Sequence, residues 1–138
     1  MEQWRGKWAL ITGASSGIGW ALAEQLAARG ANLVLTARRG DRLARLADDV
    51  TTRYKVQAQT FTADLARPQA PGEIFGFTEK KRLPIELLIN NAGFGAYGEF
   101  RKIAAQRLLD MVQVNIASVV QLPTCFSRLW WIGARDTF

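Results

Sequence analysis

Trp8-Ala9-Leu10-Ile11 runs without a polar break into Thr12-Gly13-Ala14-Ser15-Ser16-Gly17-Ile18-Gly19. A buried strand that enters a glycine turn, which in turn opens a helix, admits few folds. The turn aims unpaired helix N–H groups and the positive end of the helix dipole at one point, which suits a phosphate. Gly13 allows the sharp exit from the strand, Gly17 lets the backbone approach a pyrophosphate, and Gly19 lets the helix pack closely. Ser15 and Ser16 either cap the helix or donate to phosphate oxygens. A loop that merely needs flexible residues is the alternative, and it leaves the strand before the turn and the helix after it unexplained.

Bulk properties agree with an α/β domain. The 138 residues are 49% hydrophobic and 22% charged, enough for one domain with a core and too mixed for disorder. No apolar stretch is expected to span a bilayer, and the first residues carry no signal-peptide core. With Cys125 as the one cysteine and no histidine, a disulfide framework, a histidine-based metal site and a histidine-dependent triad are excluded. No metal is expected. The net charge of +6 gathers in Arg38, Arg39, Arg42 and Arg45 and in Lys80, Lys81 and Arg82, without interleaved aromatic residues. A solvated basic surface and an anionic cofactor account for it; neither nucleic acid nor membrane is expected as a partner. The cytoplasm is the expected compartment.

Strand and helix patterns alternate along the chain. A helix is expected from about Gly17 to Arg29, with Ile18, Ala21, Leu22 and Leu26 on its buried face and Gly30 ending it. Asn32 to Ala37 reads as a buried parallel strand. The next helix puts Leu43, Leu46, Ala47 and Val50 on one stripe. A third strand is expected over Val56 to Thr62, a helix over Glu73 to Arg82 after Pro71 and Gly72, and a fourth strand over Glu86 to Asn90. A long helix is expected from near Phe100. The fold class is α/β: a Rossmann-type, doubly wound parallel sheet, truncated after about four strands and the following long helix.

At this point the motifs combine. The glycine turn, Asp64-Leu65 after strand three, Asn90-Asn91-Ala92-Gly93 after strand four and Val114-Asn115 in the long helix resemble the short-chain dehydrogenases/reductases in order and spacing, from Lys7 to about Leu122. The resemblance implies an oxidoreductase that moves hydride between a nicotinamide and a small-molecule carbonyl or alcohol, working as a homo-oligomer. It also implies that Asp64 meets the adenine amino group and that Asn90 to Gly93, with Asn91, Ala92 and Gly93 at the cofactor, shape the adenine-ribose pocket and brace the sheet. Asn115 takes the place of the catalytic asparagine, whose main-chain carbonyl holds a water of the proton relay.

Simpler readings stand beside these. Asp64 is also able simply to cap a turn before Pro68, the lesser of its two readings. The paired asparagines are good turn residues, although Gly93 and Gly95 after them favour close approach of a ligand. Asn115 falls on a stripe with Leu108, Met111, Val112 and Val119, where a polar side chain would be buried and would need partners.

The second strand discriminates between cofactors. An acidic residue at its end would accept from a ribose 2′-hydroxyl, as in NAD-binding members. Here Ala37 is followed by Arg38 and Arg39. A guanidinium grips a 2′-phosphate through charge-assisted bonds worth about 1.5–3 kcal/mol each. Solvated loop arginines are the alternative. NADP is therefore expected over NAD.

The family's catalytic serine, and its tyrosine four residues before a lysine, are expected beyond position 138. Tyr54 and Tyr97 are the two tyrosines present. Tyr97 precedes Arg101 at the right interval, but it stands too early in the chain, and arginine does not replace lysine. After Leu122 the resemblance collapses, and Trp130-Trp131 suits neither a surface helix nor a buried strand. Tryptophan has the single codon TGG, so reading from each codon's third base forces valine and then aspartate there. Extended back to Leu122, that frame permits T-H-L-F-L-P-A-M-V-D-R-G-A-G-H-V, which resembles the family's passage into strand five. The expected division is thus 1–122, the N-terminal part of a dinucleotide-binding domain, and 123–138, a frame-shifted tail. Three readings follow: a reductase lacking its catalytic half, a non-catalytic dinucleotide-binding module, and a fragment without function.

Overall fold

The computed structural model describes residues 3–135; expectations for Met1, Glu2 and residues 136–138 lie outside the described residues. Four parallel strands, β1 (Trp8–Thr12), β2 (Asn32–Ala37), β3 (Ala58–Thr62) and β4 (Ile85–Ile89), stand in the order β3-β2-β1-β4. The chain winds outward from β1 to β3 and then crosses to the other side of β1. That reversal opens a crevice at the carboxyl end of β1.

Side chains alternate across the sheet. Ala9, Ile11, Leu33 and Leu35 face helices α1 (Gly17–Ala28) and α2 (Gly40–Tyr54). Trp8, Leu10 and Val34 face α3 (Ala70–Lys80) and α5 (Ser118–Arg135). A β1 buried along its whole length explains the unbroken apolar run in the sequence. The expected stripe of α2 holds at Leu43, Leu46 and Val50, with Ala47 half-buried.

Elsewhere the register differs from expectation. The buried face of α1 is Gly19, Ala23, Leu26 and Ala27, while Ile18 is 73% exposed, Ala21 is exposed and Leu22 is half-buried. Small residues let this helix approach the turn and the sheet, so close approach outweighs side-chain size. The helix ends one residue early in a Schellman pattern: Gly30 N–H donates to Ala27 and Ala31 N–H to Leu26. α3 begins at Ala70, before the expected Glu73, because Pro71 fits a first helical turn. β3 starts at Ala58 and β4 runs from Ile85, and near Phe100 there is a short 3₁₀ turn, Phe100–Lys102, before α4 (Ala105–Val112).

Between α4 and α5 lies a π-helical turn, Gln113–Ala117. Its extra residue rotates the helix surface. The core face becomes Val114, Ser118, Leu122 and Phe126, whereas Val112 and Val119 of the expected stripe are exposed. Asn115 is therefore also exposed, not buried as that stripe implied.

The run Ala105–Trp130 also corrects the expectation about bilayers. It is a 26-residue helical run holding an 18-residue window of mean hydropathy 1.2, so by length and composition alone it is long and apolar enough to cross a membrane. Polar residues punctuate it, so no continuous apolar run marked it in the sequence. The same helix supplies the core with Leu122 and Phe126, and the Phe126 ring meets Phe75 edge-on at 5.1 Å. The helix passes through Pro123 into the segment expected to be aberrant. There Trp130 stacks near Phe126, and its Nε1–H donates to the Ile85 carbonyl at 2.7 Å.

Candidate functional site

The crevice at the end of β1 is a cleft of about 500 Å³. Its construction starts with Thr12, the last β1 residue, which is buried. The Thr12 hydroxyl accepts from Asn91 N–H at 3.0 Å and Ala92 N–H at 2.9 Å, and donates weakly to Ile89 at 3.4 Å. In return Asn91 Nδ2 donates to the Thr12 and Gly13 carbonyls, both at 3.1 Å. These bonds fasten the glycine turn to the end of β4. A further bond, Ala14 N–H to the Thr36 carbonyl at 3.2 Å, fastens it to β2.

The fit leaves no room for side chains at two positions. Gly13 has φ +65, and a Cβ there would stand 2.9 Å from the Ala92 Cα. A Cβ at Gly19 would collide with the Gly13 carbonyl and the Asn91 amide. Gly17, by contrast, has open space where its Cβ would be. Ser16 precedes α1 as its N-cap residue without a side-chain capping bond, so of the two expected roles its hydroxyl does not perform the capping one.

Of the residues expected at the cofactor, Gly13, Ser15, Ser16, Arg38, Arg39, Asp64, Leu65, Asn91, Ala92 and Gly93 are brought together around the cleft. Thr12 and Gly19 support it from behind, and Gly17 and Ile18 begin α1 beside it. Arg38 and Arg39 are exposed, and among the described residues neither makes an ion pair. Asp64 performs the turn-capping reading, since Oδ1 accepts from Ala66 N–H at 3.0 Å, and the residue also lines the cleft.

Asn115 reaches the cleft only through Phe94. Its Oδ1 accepts from Phe94 N–H at 3.0 Å and its Nδ2 donates to the Phe94 carbonyl at 2.7 Å, so the amide pairs with both backbone groups of one residue. The cleft's far wall is Phe94 with Arg107, Asp110 and Val114 of the long helix. The Arg107 guanidinium lies 5.1 Å from the centroid of the Phe94 ring. Sequence reasoning missed this wall, although the spacing of three and four residues puts the three helix positions on one face. It also missed Thr36, a buried residue of β2 that lines the cleft. Tyr97, the decoy, is fully exposed outside the lining.

Backbone donors at the start of α1, unpaired guanidinium groups and a donor-rich rim make a site that fits a ligand rich in phosphate and hydroxyl oxygen.

Comparisons with known proteins agree with that geometry. The family described as short chain dehydrogenase matches residues 7–135, past the Leu122 at which the resemblance was expected to stop. The inactive hydroxysteroid dehydrogenase-like protein 1 of Homo sapiens is 36% identical over 117 residues, covering 82% of this chain and 34% of that protein. The very-long-chain 3-oxoacyl-CoA reductase-B of Danio rerio is 35% identical over 125 residues, covering 85% of this chain and 38% of that one. Among solved structures, L-sorbose reductase from Gluconobacter frateurii, complexed with NADPH and L-sorbose, superposes with a TM-score of 0.81 at 32% identity, over 87% of this chain and 46% of that one. The chain thus spans about a third of these curated relatives and about half of the solved chain.

Proposed function

Since the chain belongs to the short chain dehydrogenase family, we propose that it forms the NADP-binding portion of an oxidoreductase acting on a small-molecule carbonyl or alcohol. The observation that carries the cofactor choice is the pair Arg38 and Arg39, exposed, without ion-pair partners among the described residues, and set on the cleft at the end of β2. A carboxylate there would repel a 2′-phosphate; a guanidinium binds it bidentately. The NADPH bound by the sorbose reductase supports the same choice.

In this reading the glycine turn and the N-terminus of α1 hold the pyrophosphate, and Arg38 and Arg39 hold the 2′-phosphate. Asp64, Leu65 and Asn91 to Gly93 border the adenosine. Bound NADP would supply the hydride chemistry. Asn115 lies in the π-helical turn, and single π turns inside α-helices occur frequently at functional sites. That placement is compatible with the proposed water-holding role of its carbonyl.

The serine, tyrosine and lysine implied by the family are not found within these residues, and without a positioned acid a factor of roughly 10²–10⁴ in rate is forfeited. Cofactor binding without turnover is therefore the behaviour proposed for this chain, with reduction of a carbonyl proposed for a protein that carries both portions. The second reading, a non-catalytic binding module, draws support from the human relative, which is named as inactive. We further propose that α4 and α5 pair with a second copy through their exposed apolar face.

Titrations with NADP and NAD test the assignment. Wild type should bind NADP at least about tenfold more tightly than NAD, and Arg38→Glu should abolish that preference. Equal dissociation constants for the two cofactors in the wild type would overturn the NADP assignment.

A further inference from the structure

Thr36 is the one described residue whose buried side-chain polar atom has no hydrogen-bond partner. The residue is 1% exposed, the fifth of the six residues of β2, between the fully buried Leu35 and the half-buried Ala37, yet it lines the cleft. Its backbone carbonyl is engaged by Ala14 N–H, so the strand end is fixed and the hydroxyl alone is unspent. Strand alternation puts its side chain on the same face as Val34, the face covered by α3 and α5. The Asp64–Leu65 turn and the Arg107–Val114 wall border the cleft on that side.

A buried hydroxyl without a partner is costly, and a valine of nearly the same shape would avoid the cost. Threonine at this position is therefore explained by a partner that arrives with the ligand. We propose that the Thr36 hydroxyl hydrogen-bonds the adenosine half of the dinucleotide and so acts as a specificity-determining residue of the cleft. The inference rests on the cofactor reading given above, and deepens it by assigning a neutral contact separate from the phosphate-binding arginines.

The test compares wild type, Thr36→Val and Thr36→Ser by calorimetric titration with NADP, adenosine 2′,5′-bisphosphate and inorganic pyrophosphate, and by thermal melting without ligand. Thr36→Val should weaken NADP and adenosine 2′,5′-bisphosphate by a similar factor, about three- to tenfold, and leave pyrophosphate unchanged. Thr36→Ser should restore most of the loss. Without ligand, Thr36→Val should melt no lower than wild type, because it removes an unsatisfied buried group. Unchanged NADP affinity in Thr36→Val overturns the proposal, and so does a lower melting temperature without ligand, which marks a structural hydroxyl. An equal loss for pyrophosphate also overturns it. If wild type binds none of the three ligands, the cofactor reading fails and this inference falls with it.

Discussion

On one face of the sheet, α1 and α2 cover Ala9, Ile11, Leu33 and Leu35 with a closed layer that includes Leu43, Leu46 and Val50 at no exposure. On the other, the long helix buries Val114, Leu122 and Phe126 but leaves Leu109, Val112, Ile116 and Val120 to solvent, with Ile116 at 59%. The sheet is asymmetric in the same sense, since β1 is wholly buried while β4 is a half-buried edge. The first region needs only local sequence to complete its core. The second anchors one side of a helix and leaves an apolar face on the other side exposed. The lining of the cleft follows this division: the glycine turn and Arg38 belong to the finished region, while the Phe94–Arg107 wall belongs to the unfinished one.

The sharpest way to break this comparison is to remove the anchor of the second region. Phe126→Ala should cost about 3–5 kcal/mol, because it empties a fully buried site against Phe75. Urea unfolding checks it; a cost below about 1 kcal/mol would mean that α5 is not docked in the way described. A smaller effect is expected where the two regions are fastened together. Thr12→Val removes the acceptor for both Asn91 and Ala92 N–H groups, and should cost about 1–3 kcal/mol. It should also speed hydrogen exchange at those two amides more than along the middle of β1.

Smallest in stability is the exposed stripe. Ile116→Glu should change monomer stability by no more than about 0.5 kcal/mol, as befits a surface site. In sedimentation, however, it should shift a self-associating wild type towards monomer. A wild type already monomeric at high concentration would show that a second copy does not cover this face.

The finished region was the more legible one. Its strands, the α2 stripe and the glycine turn could be read from local patterns, because burial on both faces or on one stripe writes itself as apolar periodicity. Errors there were of register, as in α1, where Gly19, Ala23 and Ala27 displaced Ile18 from the core. In the unfinished region the stripe through Asn115 was misread, since a π-helical turn shifts every residue after it and leaves no compositional trace. Likewise the Asn115 amide is satisfied by the backbone of Phe94, a partner that no spacing rule supplies.

Sequence by itself determined the βα turn, the alternation of elements and the basic pair at the end of β2. Each of these is local chemistry: glycine where a Cβ would collide, apolar runs where water is excluded, and adjacent arginines exposed at a strand end. Tertiary structure alone decided which face of α1 and α5 is buried, that Thr12 and Asn91 lock two distant strand ends together, and that Thr36 and Arg107 meet on one cleft. Those outcomes depend on atoms brought within a few ångströms from opposite ends of the chain, and close packing selects among the registers that local patterns leave open.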